Sequence, residues 1–327
     1  MASIRERAGT WQVRVRRKGY PDEVASFSTK TEAQKWARRI EAAMDEGNHQ
    51  STHAVKDLLL TDVLQRYMEE VTPSKRGAKR EAEGIKFMQR QKIAAYSITK
   101  LTPAVVAAYR DERLKTVAAG TIIRELSILS GIISHARKEW GLPTPNPCAM
   151  VRKPPTPQGR TRVLTTDEEA RLLDELKPVR RRSPWMVPLV QLALETAMRR
   201  GELLALRWED INLEAQTAFL PMTKNGSARV VPLSKKATAI IAALPKEGQG
   251  HVFPISDMTM HNCFRAACKR AGLTNLRFHD LRHTATSRLA ERLPNVIELA
   301  SVTGHQTIQM LKRYYHPNAE ALAKKLG

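Results

Sequence analysis

The sequence predicts a mainly α-helical protein with small β elements, divided into units at residues 1–54, 55–158 and 159–327. Strand-period alternation stands at the front, long runs with apolar residues at helical spacing follow, and one Pro-rich basic segment interrupts those runs. At 327 residues the chain is long enough for each unit to have a core of its own.

In the first unit Trp11, Val13 and Val15 alternate with Gln12, Arg14 and Arg16, the period of a half-exposed strand. Lys18-Gly19-Tyr20-Pro21 is a turn signal, and Val24-Ala25-Ser26-Phe27 pairs back as the next strand. Thr31 followed by Gln34 reads as a capping box opening an Ala-rich helix that ends near Gly47. The sheet displays Arg14 and Arg16 on one face, an arrangement that suits a DNA groove as well as plain solvation.

From Val55 to Met150 the pattern is helical. Ile122, Leu126, Leu129 and Ile133 share one helical face, and Trp140-Gly141 closes that helix. Between Pro73 and Lys100, Lys75, Arg76, Lys79, Arg80, Lys86, Arg90, Lys92 and Lys100 face only Glu81 and Glu83. A charge run is usually a solvated face; in a helical unit of a basic chain it reads as a phosphate-backbone contact. Pro143 to Pro147 and Lys153 to Arg160 form a stiff, extended linker whose Lys153 and Arg160 are expected to follow DNA. Thr165-Thr166-Asp167-Glu168 is a capping box that opens the third unit. That unit is mostly helical, with a hairpin of Ala218-Phe219-Leu220 and Val230-Val231-Pro232-Leu233 around an Asn225-Gly226 turn.

The formal charge is +21, from 54 basic against 33 acidic side chains. Such an excess repels itself unless an anionic partner neutralises it, and nucleic acid is the commonest such partner. Cys148, Cys263 and Cys268 form no paired framework, which points to a reducing compartment. No secretory leader follows Arg5 and Arg7, and no apolar stretch approaches membrane-spanning length. The expectation is therefore a cytoplasmic, nucleoid-associated protein without a membrane partner. His261, Cys263 and Cys268 fit no common zinc spacing, and the cysteines read as buried residues of a helix. No Gly-x-x-x-x-Gly-Lys loop supports a nucleotide. No cofactor and no metal are expected.

The third unit spreads out groups suited to attacking a phosphodiester, which needs a nucleophile, positive charge on the non-bridging oxygens, and a proton for the leaving oxygen. The first cluster runs from Glu195 to Trp208 and holds Arg199 and Glu202. His279-Asp280-Leu281-Arg282-His283 places His279 and Arg282 three apart, on one helical face. Gly304-His305 and Tyr314-Tyr315-His316 complete the set.

These segments resemble the boxes of the tyrosine recombinase (phage integrase) family: an Arg in a Thr-Gly-Leu-Arg-x-x-Glu segment, a Lys on a β-hairpin, His-x-x-Arg, Gly-His, and a Tyr about nine residues later. Arg199, Lys224, His279, Arg282, His305 and Tyr314 match in order. The helical unit resembles the family's core-binding domain. The first unit resembles, less specifically, its arm-type DNA-binding domains, and the Glu195–Trp208 run and the hairpin resemble shufflon-type DNA invertases. The resemblance implies the tyrosine recombinase catalytic fold and cleavage and rejoining of DNA through a 3′-phosphotyrosine, in integration, excision or inversion. It implies Tyr314 as nucleophile, Arg199 and Arg282 as clamps on the phosphate, and Lys224 as acid for the leaving 5′ oxygen. His279 would assist the nucleophile's proton, His305 would bond a phosphate oxygen, and Glu202 would orient a basic group. The partners implied are double-stranded DNA at specific recombination sites, three further copies of the chain in a tetrameric synapse, and accessory DNA-bending proteins. A type IB topoisomerase or a non-catalytic DNA-binding regulator would share part of this pattern.

Ala197 stands where glycine is usual, which matters little if its φ is negative. The adjacent tyrosines leave the nucleophile open, with the spacing from His305 favouring Tyr314 and Tyr315 read as packing. His283 reads as a packing residue too. Ala319, Leu322, Ala323 and Leu326 form an apolar stripe expected to dock on a neighbouring protomer.

Overall fold

Alternation at the front of the chain becomes a three-stranded antiparallel sheet in the order β1 (Ala2–Arg7), β2 (Thr10–Val15), β3 (Glu23–Phe27). Trp11 lies opposite Phe27, Val13 opposite Ala25 and Val15 opposite Glu23, so the odd positions of β2 share one face. Helix α1 (Lys30–Asp45) covers that face with Ala33, Ala37 and Met44, burying Val13 and Val15 completely. The sequence expectation lacks β1, whose only large apolar residue is Ile4, too little to mark a strand. It also starts α1 late: Thr29 is the N-cap, its Oγ1 accepting from the Glu32 N–H at 3.3 Å.

The structure is a computed structural model that describes residues 2–46, 58–179, 182–221, 228–245, 250–315, 323 and 326. Lys224, the Asn225-Gly226 turn, the expected helix end at Gly47, His316, and the apolar stripe at Ala319 and Leu322 lie outside the described residues.

The next helices are α2 (Leu60–Glu70), α3 (Ala78–Gln89), α4 (Pro103–Leu114) and α5 (Ala119–Glu139). Ile122, Leu126, Leu129 and Ile133 on α5 are at most 1% exposed and pack with Leu64, Ile85 and Val106. The expected face is the core face. Trp140 caps α5, and Gly141 follows at φ 64°, a conformation glycine adopts without a Cβ clash. The chain separates into two units, Met1–Gln158 and Gly159–Gly327, with the break inside the Pro-rich segment. Within the first unit the sheet–helix layer and the helical group have distinct hydrophobic clusters.

In the second unit α6 (Thr166–Leu176) opens on the expected capping box, Thr165 accepting from Glu168 N–H and Glu168 accepting from Thr165 N–H. Then come α7 (Met186–Thr196), α8 (Arg200–Ala205), a sheet of β4 (Ile211–Asn212), β5 (Thr217–Leu220) and β6 (Arg229–Pro232), α9 (Lys235–Ala242), α10 (Asp257–Arg270), α11 (Phe278–Arg292), α12 (Val296–Thr303) and α13 (Ile308–Leu311). α7 is apolar nearly all round and buries Leu189, Val190, Leu192 and Ala193 at the centre of the core. The expected hairpin strands pair antiparallel, with Ala218 opposite Val231. On α10, His261 is exposed, Cys263 half-buried and Cys268 buried, and burial pushes the Cys268 thiol up to about 11. No group of His, Cys, Asp and Glu among the described residues is arranged to hold a metal ion. No helix among them is long and apolar enough to cross a membrane.

Candidate active site

Helices α7 and α12 are capped by left-handed residues, and each of those residues holds an arginine. α7 stops at Ala197, buried at φ 51° and ψ 20°; α12 stops at Gly304, at φ 68° and ψ 39°. The Ala197 carbonyl accepts from Arg282 Nη1 at 2.5 Å, and the Gly304 carbonyl accepts from Arg199 Nη2 at 2.9 Å. A helix C-terminus carries partial negative charge, so a guanidinium is held there by charge as well as by the hydrogen bond. The positive φ of Ala197 corrects the expectation of a negative one: the turn needs the left-handed conformation, and a methyl group is small enough to tolerate it.

Arg199 caps α8, its N–H donating to Glu202 Oε2 at 2.9 Å and its Nη1 to Oε1 at 2.7 Å. Glu202 is only 6% exposed and also accepts from Arg229 Nη2 at 2.8 Å. Burial pushes the Glu202 carboxyl up, but the Arg199 N–H and the Arg229 charge outweigh it and hold the group below the usual range. Arg229 is a site residue that sequence reasoning missed. The signal was present: Arg229 shares its side of β6 with buried Val231, an inward position for an arginine. It donates to the Val302 carbonyl at 2.5 Å and so ties the hairpin to α12.

Arg282 is 5% exposed, and burial together with the neighbouring Arg199 lowers its pKa to about 10, which leaves it charged at neutral pH. Its Nη2 lies 3.4 Å from His305 Nε2. Because a guanidinium only donates, Nε2 is the acceptor, and His305 Nδ1–H then donates to Thr303 Oγ1 at 2.6 Å. The Thr303 hydroxyl in turn donates to the Leu299 carbonyl at 2.6 Å. Burial, Arg282 and Arg199 push the His305 pKa down to about 3, so its ring is neutral.

Tyr314 closes the short turn Lys312–Tyr314 after α13, half-buried, with its ring centroid 6.2 Å from that of His305. Burial raises its phenol pKa. Its Oη is hydrogen-bonded to His283 Nδ1, which corrects the reading of His283 as a packing residue. His283 lies one turn beyond His279 on α11 and so shares its face, the two rings meeting edge-on at 5.3 Å. Tyr315 turns elsewhere, its hydroxyl donating to the Leu293 carbonyl at 2.7 Å. Arg199, His279, Arg282, His283, His305 and Tyr314 line one cavity of about 360 Å³ with Gln306, Met310 and Arg313. The expected catalytic residues thus come together, apart from Lys224, which is not described.

The expected DNA-contacting residues divide. Arg76, Lys79, Arg80 and Lys153 are exposed. Arg14 and Arg16 are exposed too, but both bond Asp22 Oδ2, at 2.6 and 3.0 Å. Lys75 is half-buried between Tyr67 Oη at 2.6 Å and Glu81 Oε1 at 2.8 Å. Arg160 grips buried Asp280 through Nε–Oδ1 at 3.0 Å and Nη2–Oδ2 at 2.7 Å, and Asn275 besides. For Lys75 and Arg160 the free basic group expected from the sequence is corrected to an internal ion pair, with half-buried Glu81 and buried Asp280, because a carboxylate withdrawn from water needs a counter-charge.

Residues 162–321 match the phage integrase family. A shufflon-specific DNA recombinase of Escherichia coli is 39% identical over 281 residues, covering 83% of this chain and 72% of that protein. A putative integrase/recombinase of Haemophilus influenzae is 35% identical over 341 residues, covering 100% and 91%. Among solved structures, a lambda integrase tetramer bound to a Holliday junction superposes with a TM-score of 0.67 at 22% identity, over 96% of this chain and 94% of that one.

Proposed function

The chain belongs to the phage integrase family, the tyrosine recombinases, and is a site-specific DNA recombinase; from that premise we propose that Tyr314 is its nucleophile and that it joins transiently to a DNA 3′ phosphate. One observation carries the proposal. Tyr314 lines the same cavity as Arg199 and Arg282, which backbone carbonyls hold, while Tyr315 is tied to Leu293. Tyr314 oxygen attacks phosphorus, the bond to the 5′ oxygen breaks, and the phosphodiester energy is kept in the phosphotyrosine for rejoining. Arg199 and Arg282 meet the charge that builds on the non-bridging oxygens, and their anchors spare reorganisation at that moment. Lys224 is the proposed acid for the leaving oxygen. His305 is neutral and accepts from Arg282 at Nε2, so it bonds a phosphate oxygen from Nε2 once that nitrogen carries the ring's proton, by a change of tautomer or by protonation. Glu202 fixes Arg199 through both carboxylate oxygens.

The partner is double-stranded DNA at specific sites, acted on by four protomers together. The lambda integrase tetramer on a Holliday junction and the shufflon-specific relative support that reading, and the second supports inversion as the outcome. To test it, the protein is mixed with sheared DNA from its source genome, covalent complexes are trapped by denaturation, and the attached DNA is sequenced. The recovered site is then built as a nicked duplex from which the cleaved fragment escapes. Tyr314→Phe is expected to bind this duplex as the parent does and to form no adduct. An adduct at parental yield that maps to Tyr315 would move the nucleophile by one residue. On a plasmid, two inverted copies of the site are expected to invert the segment between them; relaxation without inversion would overturn the recombination outcome.

A further inference from the structure

The resemblance assigns the nucleophile's proton to His279, but the structure puts a different histidine on the phenol. His283 Nδ1 is the described hydrogen-bond partner of Tyr314 Oη. The two rings lie 6.0 Å apart, tilted by 30°, and the hydroxyl meets the ring nitrogen. His283 is half-buried on α11 and lines the same cavity as Tyr314 and the proposed phosphate clamp of Arg199 and Arg282. His279 is exposed and contacts His283 ring to ring. On the reading that Tyr314 is the nucleophile, we propose that His283 is a catalytic residue: its Nδ1 takes the Tyr314 proton during cleavage and returns it during rejoining.

The step balances. The Tyr314 O–H bond breaks as the O–P bond forms, the proton passes to His283 Nδ1, and the P–O5′ bond breaks with a separate acid protonating the leaving oxygen. In rejoining, a 5′ hydroxyl attacks phosphorus and passes its proton to the conjugate base of that acid, the P–O bond to tyrosine breaks, and the His283 imidazolium gives its proton back to the phenolate. An unprotonated acceptor is needed at the start, and the surroundings supply it. Burial and His279 push the His283 pKa down to about 4, with Arg313 and Arg282 acting the same way and Asp280 opposing them. Among the described residues lining the cavity, His305 is neutral and Arg199 adds a further positive charge. Transfer to so weak a base is uphill in the empty site, because burial also raises the Tyr314 phenol. It becomes favourable only as the O–P bond forms and a phosphate anion stabilises the imidazolium. That order protects against a free phenolate when no DNA is bound.

The test is single-turnover adduct formation on the nicked duplex by the full chain. His283→Asn can place an amide oxygen near the Nδ1 position, keeping the hydrogen bond without a site for the proton, and His283→Phe removes both. Each is expected to be slower by about 10²–10³-fold, the scale of a lost general base, with DNA binding unchanged. Replacing Tyr314 by a difluorotyrosine, whose phenol ionises more readily, is expected to speed the His283→Asn protein by at least tenfold more than it speeds the parent. His283→Asn at the parental rate would reduce His283 to a positioning residue, and His283→Phe at the parental rate would reduce it to packing. Equal acceleration of both proteins by the fluorinated side chain would also overturn the proposal, even if the substitutions disturb folding. An adduct formed by Tyr314→Phe would overturn the nucleophile assignment instead, so the two failures are distinguishable.

Discussion

Asp280 is fully buried and stays charged because Arg160 grips both its oxygens and the Arg277 N–H donates at 2.8 Å. Burial pushes its carboxyl up; Arg160 and that N–H outweigh burial, and the net shift is downward. A carboxyl with a depressed folded pKa contributes stability above its unfolded value, near 4, and loses it as pH falls through the folded one. Arg160→Ala is therefore expected to cost about 2–3 kcal/mol at pH 7, less than a fully buried pair because water reaches the arginine side. Urea unfolding at a series of pH values checks this, and the gap to the parent should close below about pH 4. A constant gap would place the loss in packing. The same arginine shows where sequence reading stops. Arg199, Arg282, His305 and Tyr314 were legible because short motifs carry their spacing. His283, Arg229 and Arg160 were not, because the partners that define them lie 31, 27 and 120 residues away.

The elements that position the site are the ends of α7 and α12. Gly304 sits at φ 68°, and a Cβ built there would stand 2.8 Å from Arg229 Cζ. Arg229 cannot swing clear at low cost, since Glu202 and the Val302 carbonyl hold it. Left-handed strain and overpacking together put Gly304→Ala at about 2–4 kcal/mol. The same change should loosen the Gly304 carbonyl from Arg199, so adduct formation is expected to fall even where the protein stays folded. Unfolding midpoints and single-turnover rates measured on one preparation check both parts; a loss under ~1 kcal/mol would mean that Arg229 is freer than its bonds imply. At this scale the sequence read well where periodicity repeats, as on α5 and in the α6 capping box. It read poorly at β1 and at the start of α1, where one large apolar residue or one threonine decides the outcome.

For the molecule as a whole, a charge of +21 makes any DNA complex sensitive to salt, with a slope set by how many phosphates its cations neutralise. Not every arginine is free to add to it. On the three-stranded sheet Asp22 sits against Arg14 and Arg16, and its hydrogen bond to Arg14 and the two positive charges hold its carboxyl below the usual range. If that sheet lies on DNA, Asp22 is a built-in brake on affinity. Asp22→Asn is then expected to tighten binding and to steepen the plot of log K against log salt by about one, the equivalent of one further phosphate contact. Titrations between low and moderate salt check it, and an unchanged slope would remove this sheet from the interface.

The two left-handed helix ends also bear on how such a protein tolerates drift. Every residue owns a carbonyl, so the groups that hold Arg199 and Arg282 cannot be deleted by exchanging a side chain at positions 197 and 304. What selection inspects there is a backbone angle. Glycine meets it freely, and at position 197 alanine meets it with a little strain, because no side chain but a methyl group has to fit. The letter at such a position can wander within a short alphabet while the hold on the arginine it supports is inherited unchanged.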